Sequence, residues 1–398
     1  MQYLLICPSD VEYLNLPSML SAFVQFVRDY YQKPTGEIPL HEAQLGEAEQ
    51  QALRFCLDSG VVSTVGSLVE DFEQQIAEKT GCAYAVATNS GTAALHLALM
   101  GLGVQANDLV ITQPFCFVAS CNAIRYCGAD PLFVDIDRQS LGLSAQALAE
   151  FLRREAEVRE DGHCYHLASR RRISLCLPVC TFGHVPELDK IQAICRQYQL
   201  TMLVDAAEAL GSSYQGKPAS CWGDAAILSF NGNKIVTSGG GGMLLTQNEA
   251  VAQQAHHLSV QARQLRGNRL TYDAVGYNYR MPNLNAALGL AQLEKLEEKT
   301  QQLRRLAEAY QTFFSNYGIT MAVEPEQAAS NYWLNAVIFP DWHSRDTFVH
   351  ETNVAGILTR PAWTLMSHLP MYQHCIKTFL PNAKWAEQHL ALLPSFIV

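Results

Sequence analysis

The chain has 398 residues, of which 48% are hydrophobic and 17% charged, so it carries enough apolar surface for a large core and is not disordered in composition. Its net charge of -10 excludes a general nucleic-acid binder, because such proteins need a basic surface to displace counterions from phosphates. Twelve cysteines at scattered spacings, with no Cys-x-x-Cys pair, exclude a disulfide framework and a zinc ribbon.

The N-terminal segment, residues 1–37, is predicted to be an arm distinct from the rest of the chain. It begins MQYLLICPSD, which lacks the basic region and the cleavage site of a signal peptide. A helical run follows from about Met19 to Tyr31, and a Lys-Pro-Thr-Gly break ends it. The arm is expected either to pack on a partner subunit or to be partly an incorrect start. No apolar run approaches the roughly 18 residues of a spanning helix, so we expect a cytoplasmic protein that stays outside the membrane.

Short apolar runs rich in β-branched residues alternate with amphipathic runs from Ala83 onward. This alternation predicts an α/β domain with helices around a mostly parallel sheet. Helices are expected between the strands, for example over 92–100, 144–154 and 188–198. The predicted strands are Tyr84–Thr88, Leu109–Thr112, Pro131–Val134, Ile173–Pro178, Thr201–Val204 and Ala225–Ser229.

A different pattern begins near Pro282, with a long helical stretch from Leu284 to about Tyr317 and a mixed region after it. The charges of the helical stretch are typical of a solvated face, and we assign it no chemistry. The sequence therefore predicts a large domain over 38–262 and a smaller α+β domain over 263–398.

The stretch TNSGTAALHLAL at 88–99 predicts a strand, a tight turn and a helix in immediate succession. Unpaired N–H groups at a helix N-terminus attract anions, and small residues let a phosphate approach the backbone. Ser90, Gly91 and Thr92 are therefore candidates to hold a phosphate. An ordinary N-cap explains the same residues.

A second motif, LVDAAEALG at 203–211, places Asp205 where a hydrophobic strand ends. Open α/β sheets bind ligands at the carboxyl ends of their strands. Asp205 could pair there with a buried cation such as the ring nitrogen of pyridoxal phosphate, which needs an acidic partner to stay protonated. A helix-capping role is the alternative.

The third motif, LSFNGNKIVTSGGGGML at 228–244, runs from a strand through Lys234 into four glycines. A lysine becomes a useful nucleophile toward a carbonyl only when its ammonium form is disfavoured by burial or by neighbouring charge. Gly239 to Gly242 let the chain pass close to a cofactor. An exposed lysine before a flexible loop is the alternative.

These motifs stand in an order that resembles the DegT/DnrJ/EryC1/StrS family of sugar aminotransferases, within the fold-type I enzymes that use pyridoxal phosphate. The resemblance covers the chain from Ile38 to its C-terminus. Eight motifs carry it: IPLHEAQLGEAE at 38, SGVVSTVGSLVEDFE at 59, NSGTAALHLAL at 89, FVDIDRQSLGL at 133, DAAEALG at 205, SFNGNK at 229, GYNYRMPNLNAALGLAQL at 276 and LTRPAW at 358.

The resemblance implies a role for each matching residue. Lys234 is the Schiff-base lysine that also moves the proton, Asp205 pairs with the pyridine nitrogen, and Glu208 lies near the ring where relatives often have Gln or His. Phe117 matches the aromatic residue that stacks on the ring. The phosphate cradle is matched by Ser90, Gly91, Thr92 and Ser229.

Asn278 matches an asparagine that reaches the phosphate from the neighbouring subunit, which implies a homodimer with shared active sites. The closest subgroup implies L-glutamate as the amino donor and a UDP-linked 4-keto-6-deoxy-N-acetylhexosamine as the acceptor. Two other hypotheses stay open: an amino-acid aminotransferase of the same fold, and a binding or regulatory protein that has lost catalysis. The intact Asp205 and Lys234 count against the second.

Several other polar residues are weighed without a firm role. His163, Cys164 and His166 do not have the spacing of a zinc site, so no metal is predicted. His184 follows a strand and is either at the mouth of the site or structural. Substrate contacts and surface ion pairs are equally good explanations of Arg280 and Arg360.

Overall fold

A computed structural model describes residues 16–397 of the chain. The α-helices of this part are α1 Leu16–Tyr30, α2 Glu47–Asp58, α3 Ser67–Thr80, α4 Gly91–Gly101, α5 Val118–Tyr126, α6 Ala145–Glu155, α7 Leu188–Gln197, α8 Glu249–Ser259, α9 Asn283–Leu293, α10 Leu296–Ser315, α11 Trp342–Val354 and α12 Pro381–His389.

The strands of the same part are β1 Tyr84–Thr88, β2 Leu109–Thr112, β3 Asp130–Phe133, β4 Ala156–Val158, β5 Cys164–His166, β6 Arg172–Leu177, β7 Thr201–Asp205, β8 Ser213–Tyr214, β9 Lys217–Pro218, β10 Ala225–Ser229, β11 Gly242–Thr246, β12 Arg263–Arg266, β13 Arg269–Tyr272, β14 Thr320–Met321, β15 Ala328–Ala329, β16 Asn335–Ile338, β17 Arg360–Pro361 and β18 Leu390–Leu393.

The main sheet has the strand order β1-β11-β10-β7-β6-β2-β3, and along this order only β11 is antiparallel to its neighbours. Strand β5 adds to β6 in antiparallel orientation beside this order. The predicted α/β class is confirmed, and the six predicted strands are all present. Strand β11 was not predicted, because it begins at the last glycine of the glycine run. The short β4–β5 hairpin carries the histidines and the cysteine at 163–166.

Three strand ends meet at one place on this sheet. Gly242, the first residue of β11, is paired with Thr88 on one side and with Ser229 on the other. Strand β7 follows next to β10 and ends at Asp205. Parallel strands end at the same edge of a sheet, so the three motifs of the sequence converge at the carboxyl edge.

The C-terminal part of the chain forms a separate antiparallel sheet in the order β14-β16-β18-β17, accompanied by α10, α11 and α12. The single helix predicted over 284–317 is wrong: it is two helices, α9 and α10. Lys295, between them, has a ψ of 4°, which is incompatible with a continuous helix. A boundary at residue 262 between two domains stays a prediction.

Helix α1 packs on its own chain. The ring of Phe23 is buried, and its centroid lies 5.4 Å from that of Phe314 on α10 and 5.0 Å from that of Phe348 on α11. Residues 1–15 of the predicted arm lie outside the described part of the chain. Among the helices of residues 16–397, none combines the length and the apolar character needed to cross a membrane.

Candidate active site

A cavity of about 490 Å³ opens at the carboxyl edge of the main sheet, on the side that faces the C-terminal sheet. Cavities of a few hundred cubic ångströms are the usual size for cofactors and small ligands. Eight of the nine predicted site residues line it, namely Ser90, Gly91, Thr92, Phe117, Asp205, Glu208, Ser229 and Lys234.

One end of the cavity is the N-terminus of α4, whose first N–H groups have no partner within the helix. Ser90 is the N-cap, and its Oγ accepts a hydrogen bond from the N–H of Ala93 (3.1 Å). The capping explanation of Ser90 therefore holds, and the remaining N–H groups of the same turn are free to bind an anion from the cavity.

Glycine is required where the strands close around this turn. A Cβ atom on Gly242 would lie 2.4 Å from the carbonyl oxygen of Ser90, and one on Gly91 would lie 3.0 Å from the Cβ of Ser229. At Gly242 no side chain fits without moving the backbone, and at Gly91 a side chain would be unusually tight against Ser229. The close approach brings the Ser229 hydroxyl to the N-terminus of α4, where a phosphate would sit.

Asp205 is buried at the floor of the cavity. One carboxylate oxygen accepts from the Ser120 hydroxyl (2.7 Å) and the other from the N–H of Ala207 (3.1 Å). Burial raises the pKa of Asp205, and these two hydrogen bonds oppose the rise. A cation placed against this carboxylate would favour its ionised form, which suits a protonated ring nitrogen.

Lys234 and Glu208 face each other inside the cavity, with Nζ 3.5 Å from Oε1. Burial lowers the pKa of Lys234, while the carboxylates of Glu208 and Asp205 act to raise it. Burial likewise raises the pKa of Glu208. The N–H of Phe182, a residue held at a φ of +59°, donates to the second Glu208 oxygen (2.9 Å). A strained backbone thus fixes the carboxylate beside the lysine.

Two residues near Lys234 were not predicted to belong to the site. The ring centroid of Trp333 lies 3.8 Å from Lys234 Nζ, a cation–π contact. The ring of His41 stacks on Trp333 at 4.9 Å with an interplanar angle of 13°. His41 belongs to a motif that carries the family resemblance. Trp333 lies in the irregular stretch before β16, and no motif of the sequence marks it as a site residue.

The outer wall of the cavity is aromatic and contains one arginine. Phe117 is 55% exposed in the single chain, so its ring face is open to a ligand. Trp363 lies beside it, with ring centroids 6.4 Å apart, and Arg360 stands at the same wall. Arg280 is not there: it is buried in an ion pair with Glu73. His184 is also absent from the lining, since it is buried against Tyr332.

Asn278 is exposed and does not line the cavity of its own chain. Its carbonyl oxygen accepts a hydrogen bond from the Asn89 side chain (3.0 Å), and Asn89 does line the cavity. The turn that carries Asn278 is therefore fixed next to the end of the cavity that the N-terminus of α4 forms, while its own side chain is exposed.

These residues fit pyridoxal phosphate. The cavity supplies an anion site at a helix N-terminus, a buried carboxylate on its floor and a buried lysine between them, which are the three groups that the cofactor needs. When bound, pyridoxal phosphate supplies an electron sink for the carbanion formed at the amino-bearing carbon.

Comparisons with known proteins agree with this fit. The profile of the DegT/DnrJ/EryC1/StrS aminotransferase family matches residues 43–397. Two similar curated proteins are both named GDP-perosamine synthase. The one from Caulobacter vibrioides is 34% identical and the match covers 80% of this chain and 82% of the relative. The one from Vibrio cholerae is 32% identical, with 90% and 94% covered.

Among solved structures, the aminotransferase TlmJ from Streptoalloteichus hindustanus has a TM-score of 0.81 and 26% identity, with 91% of this chain and 94% of that chain covered. All three comparisons agree with a cavity that fits pyridoxal phosphate. The chain belongs to the DegT/DnrJ/EryC1/StrS family and is a pyridoxal-phosphate-dependent nucleotide-sugar aminotransferase.

Proposed function

We propose that this enzyme moves the amino group of L-glutamate to the 4-keto carbon of a 6-deoxy sugar carried by a nucleotide, and that Lys234 is the residue that bonds to the cofactor. The observation that carries the proposal is the convergence of Lys234, Asp205 and the N-terminus of α4 in one cavity. Each of these residues has an ordinary explanation alone, but the three together match one cofactor.

In this proposal Lys234 removes and returns the proton at the reacting carbon. Its Nζ must be neutral to accept a proton, and burial lowers its pKa toward the working range. The Trp333 ring, 3.8 Å from Nζ, stabilises the ammonium form that results.

Asp205 and Glu208 have different tasks in this scheme. Asp205 keeps the ring nitrogen of the cofactor protonated, since its carboxylate is oriented by Ser120 and Ala207. Glu208 holds Lys234 at 3.5 Å and sets how readily that lysine gains or loses a proton. Phe117 stacks on the ring, and Ser90, Gly91, Thr92 and Ser229 bind the phosphate.

We also propose that the working unit is a homodimer in the cytoplasm. The outward Asn278 side chain, on a turn fixed beside the phosphate end, supports a contribution to the partner's site. A reducing compartment agrees with the described cysteines, which form no disulfide within residues 16–397.

The nucleotide of the acceptor has two candidates. The subgroup resemblance favours a UDP-linked 4-keto-6-deoxy-N-acetylhexosamine, whereas the names of the two curated relatives favour a GDP-linked sugar. Arg360 and Trp363, at the outer wall of the cavity, offer an anion contact and a stacking surface to either nucleotide.

The test starts from enzyme loaded with pyridoxamine phosphate. One adds, in separate reactions, a UDP-linked 4-keto-6-deoxy-N-acetylhexosamine, a GDP-linked 4-keto-6-deoxyhexose and 2-oxoglutarate, and follows the visible absorbance of the lysine-bound cofactor. The proposal predicts that 2-oxoglutarate and one keto-sugar restore the absorbance, and the reactive sugar identifies the nucleotide. Restoration by the keto acid alone would overturn the sugar assignment.

A further inference from the structure

Two side chains from the C-terminal part of the chain hold the backbone on either side of Lys234. The indole N–H of Trp333 donates to the carbonyl oxygen of Asn233 (2.8 Å). The ammonium of Lys299, on α10, donates to the carbonyl oxygen of Ile235 (3.1 Å). The carbonyl groups of the two residues that flank the lysine are thus each bound by a donor that is distant in sequence.

The segment that carries Lys234 needs such external support. It connects β10 to β11 and lacks strand or helix pairing of its own between residues 230 and 241. Gly232 precedes the lysine and four glycines follow it, so the backbone has unusual conformational freedom. Within the segment, the N–H of Lys234 donates to the carbonyl oxygen of Asn231 (2.9 Å), which forms only a local turn.

The burial of Lys299 requires hydrogen-bond partners, because transfer of an ammonium group out of water costs free energy unless the group is hydrogen-bonded. It is only 6% exposed, and its Nζ also donates to Gln292. Gln292 in turn donates to Glu49 (2.7 Å), which is paired with Lys295 (2.8 Å). This network anchors Lys299 to α2 and α9, so that its ammonium is fixed beneath the lysine segment.

Trp333 makes two contacts with the same segment. Its N–H holds the Asn233 carbonyl, while its ring face meets Lys234 Nζ at 3.8 Å. The stacked His41 restricts the ring from turning away. One indole side chain therefore contacts both the backbone of the segment, at Asn233, and the side chain of Lys234.

We propose that Lys299 and Trp333 are positioning residues that clamp the Lys234 segment and thereby set where Nζ meets the cofactor. The inference rests on the proposed role of Lys234. Reacting groups must be held within a fraction of an ångström, and a displacement of about 1 Å costs up to about 100-fold in rate. Loss of either donor frees one flanking peptide and lets Nζ move.

The test separates bond formation from cofactor binding. Apoenzyme is mixed with pyridoxal phosphate, and the rate at which the lysine-bound absorbance appears is measured. The dissociation constant of pyridoxamine phosphate, which cannot bond to a lysine, is measured on the same preparations. In Lys299→Met and in Trp333→Phe the rate is expected to fall about tenfold or more, while the affinity for pyridoxamine phosphate stays within about twofold.

Matched controls exist for both variants. Arg305→Met removes an exposed cation of α10 that lies outside this network, and its rate is expected to stay unchanged. Trp222→Phe removes an indole whose N–H has no partner in the described structure. Lys299→Arg, which keeps a cationic donor, should recover much of the rate. Trp333→Phe stands as an independent test where Lys299→Met does not fold.

Three results would overturn the clamp. The first is an unchanged rate in folded Lys299→Met and Trp333→Phe, and the second is an equal loss in Arg305→Met. An equal weakening of both cofactor forms would also overturn it, because that result indicates a general collapse of the site. Lys234→Ala distinguishes the two proposals: absorbance that survives this change contradicts the role of Lys234 itself, whatever the clamp variants do.

Discussion

Glu208 and Lys234 form a buried pair with Oε1 and Nζ 3.5 Å apart, and the N–H of Phe182 holds the other carboxylate oxygen. The pair is nearly closed to water, with side-chain exposures of 5% and 12%. Its two members therefore control each other's protonation more strongly than a surface pair would.

Replacing Glu208 by Gln is expected to lower the pKa of Lys234. The carboxylate favours the ammonium form, so its removal leaves burial as the main influence, and burial favours the neutral amine. The pH dependence of bond formation between apoenzyme and pyridoxal phosphate reports this, with its midpoint at lower pH in Glu208→Gln. Glu187→Gln, which affects only an exposed pair, is the control. A midpoint that stays in place or moves upward contradicts the assignment.

Replacing Gly242 by Ala is expected to destabilise the phosphate end of the site. The new methyl group would lie 2.4 Å from the Ser90 carbonyl oxygen, and overpacking of this kind costs roughly 1–3 kcal/mol. Urea unfolding measures that loss, and the affinity for inorganic phosphate or the cofactor should fall with it. Gly232→Ala serves as the control, because its methyl group would come no closer than 4.0 Å to the nearest atom. Equal stabilities of the two variants would show that the close approach is unimportant.

His184 is expected to make the protein less stable in acid. It is fully buried, and burial lowers its pKa to about 4 from an ordinary 6.5. Between pH 6.5 and pH 4 the unfolded chain therefore binds a proton at this histidine that the folded chain does not bind. The free energy of unfolding thus falls as the pH is lowered through this range. Between pH 7 and pH 5 this histidine alone accounts for about 2 kcal/mol of the loss.

The comparison of wild type with His184→Gln by urea unfolding at these two pH values tests this. The variant should lose less stability on acidification, whatever its stability at pH 7. His350→Gln, an exposed histidine on α11, should lose as much as the wild type. Identical losses in wild type and His184→Gln would show that His184 does not contribute to the pH dependence.

If each active site is shared between two subunits, two inactive variants should restore activity when they form a mixed dimer. Lys234→Ala and Asn278→Ala are each expected to be nearly inactive as pure proteins. When the two are unfolded together and refolded as a mixture, half of the dimers should be mixed, and each mixed dimer should contain one site with both residues intact. Activity near one quarter of the wild-type value is expected. A mixture as inactive as its parts would contradict a shared site.

The fold and the convergence of most candidate residues on one cavity could be predicted, because both depend on local order along the chain. Ser90 and Gly91 follow β1, Asp205 ends β7 and Lys234 follows β10, and strands of a parallel sheet end together. Neither Lys299 nor Trp333 has such a signal. Lys299 lies on a helix with a charged composition, which predicts exposure, yet its side chain is buried and donates to Gln292 and to the carbonyl oxygen of Ile235.

Two features of the fold differ from the prediction because contacts distant in sequence determine them. One helix over 284–317 was predicted because the composition is helical throughout. In the structure the chain breaks at Lys295, whose side chain pairs with the buried Glu49, 246 residues away in sequence. Strand β11 escaped notice because glycine-rich sequence usually indicates a loop. Its role is visible only in the pairing of Gly242 with Thr88 and Ser229.

The central claim is that Lys234 bonds to the cofactor, and reductive trapping tests it most directly. The enzyme is incubated with pyridoxal phosphate, reduced with sodium borohydride and digested, and the modified peptide is identified by mass spectrometry. Lys299 is the competing residue, since burial lowers its pKa to about 8. We predict the modification on Lys234 and its loss in Lys234→Ala. Modification of Lys299, or of no lysine at all, would contradict the claim.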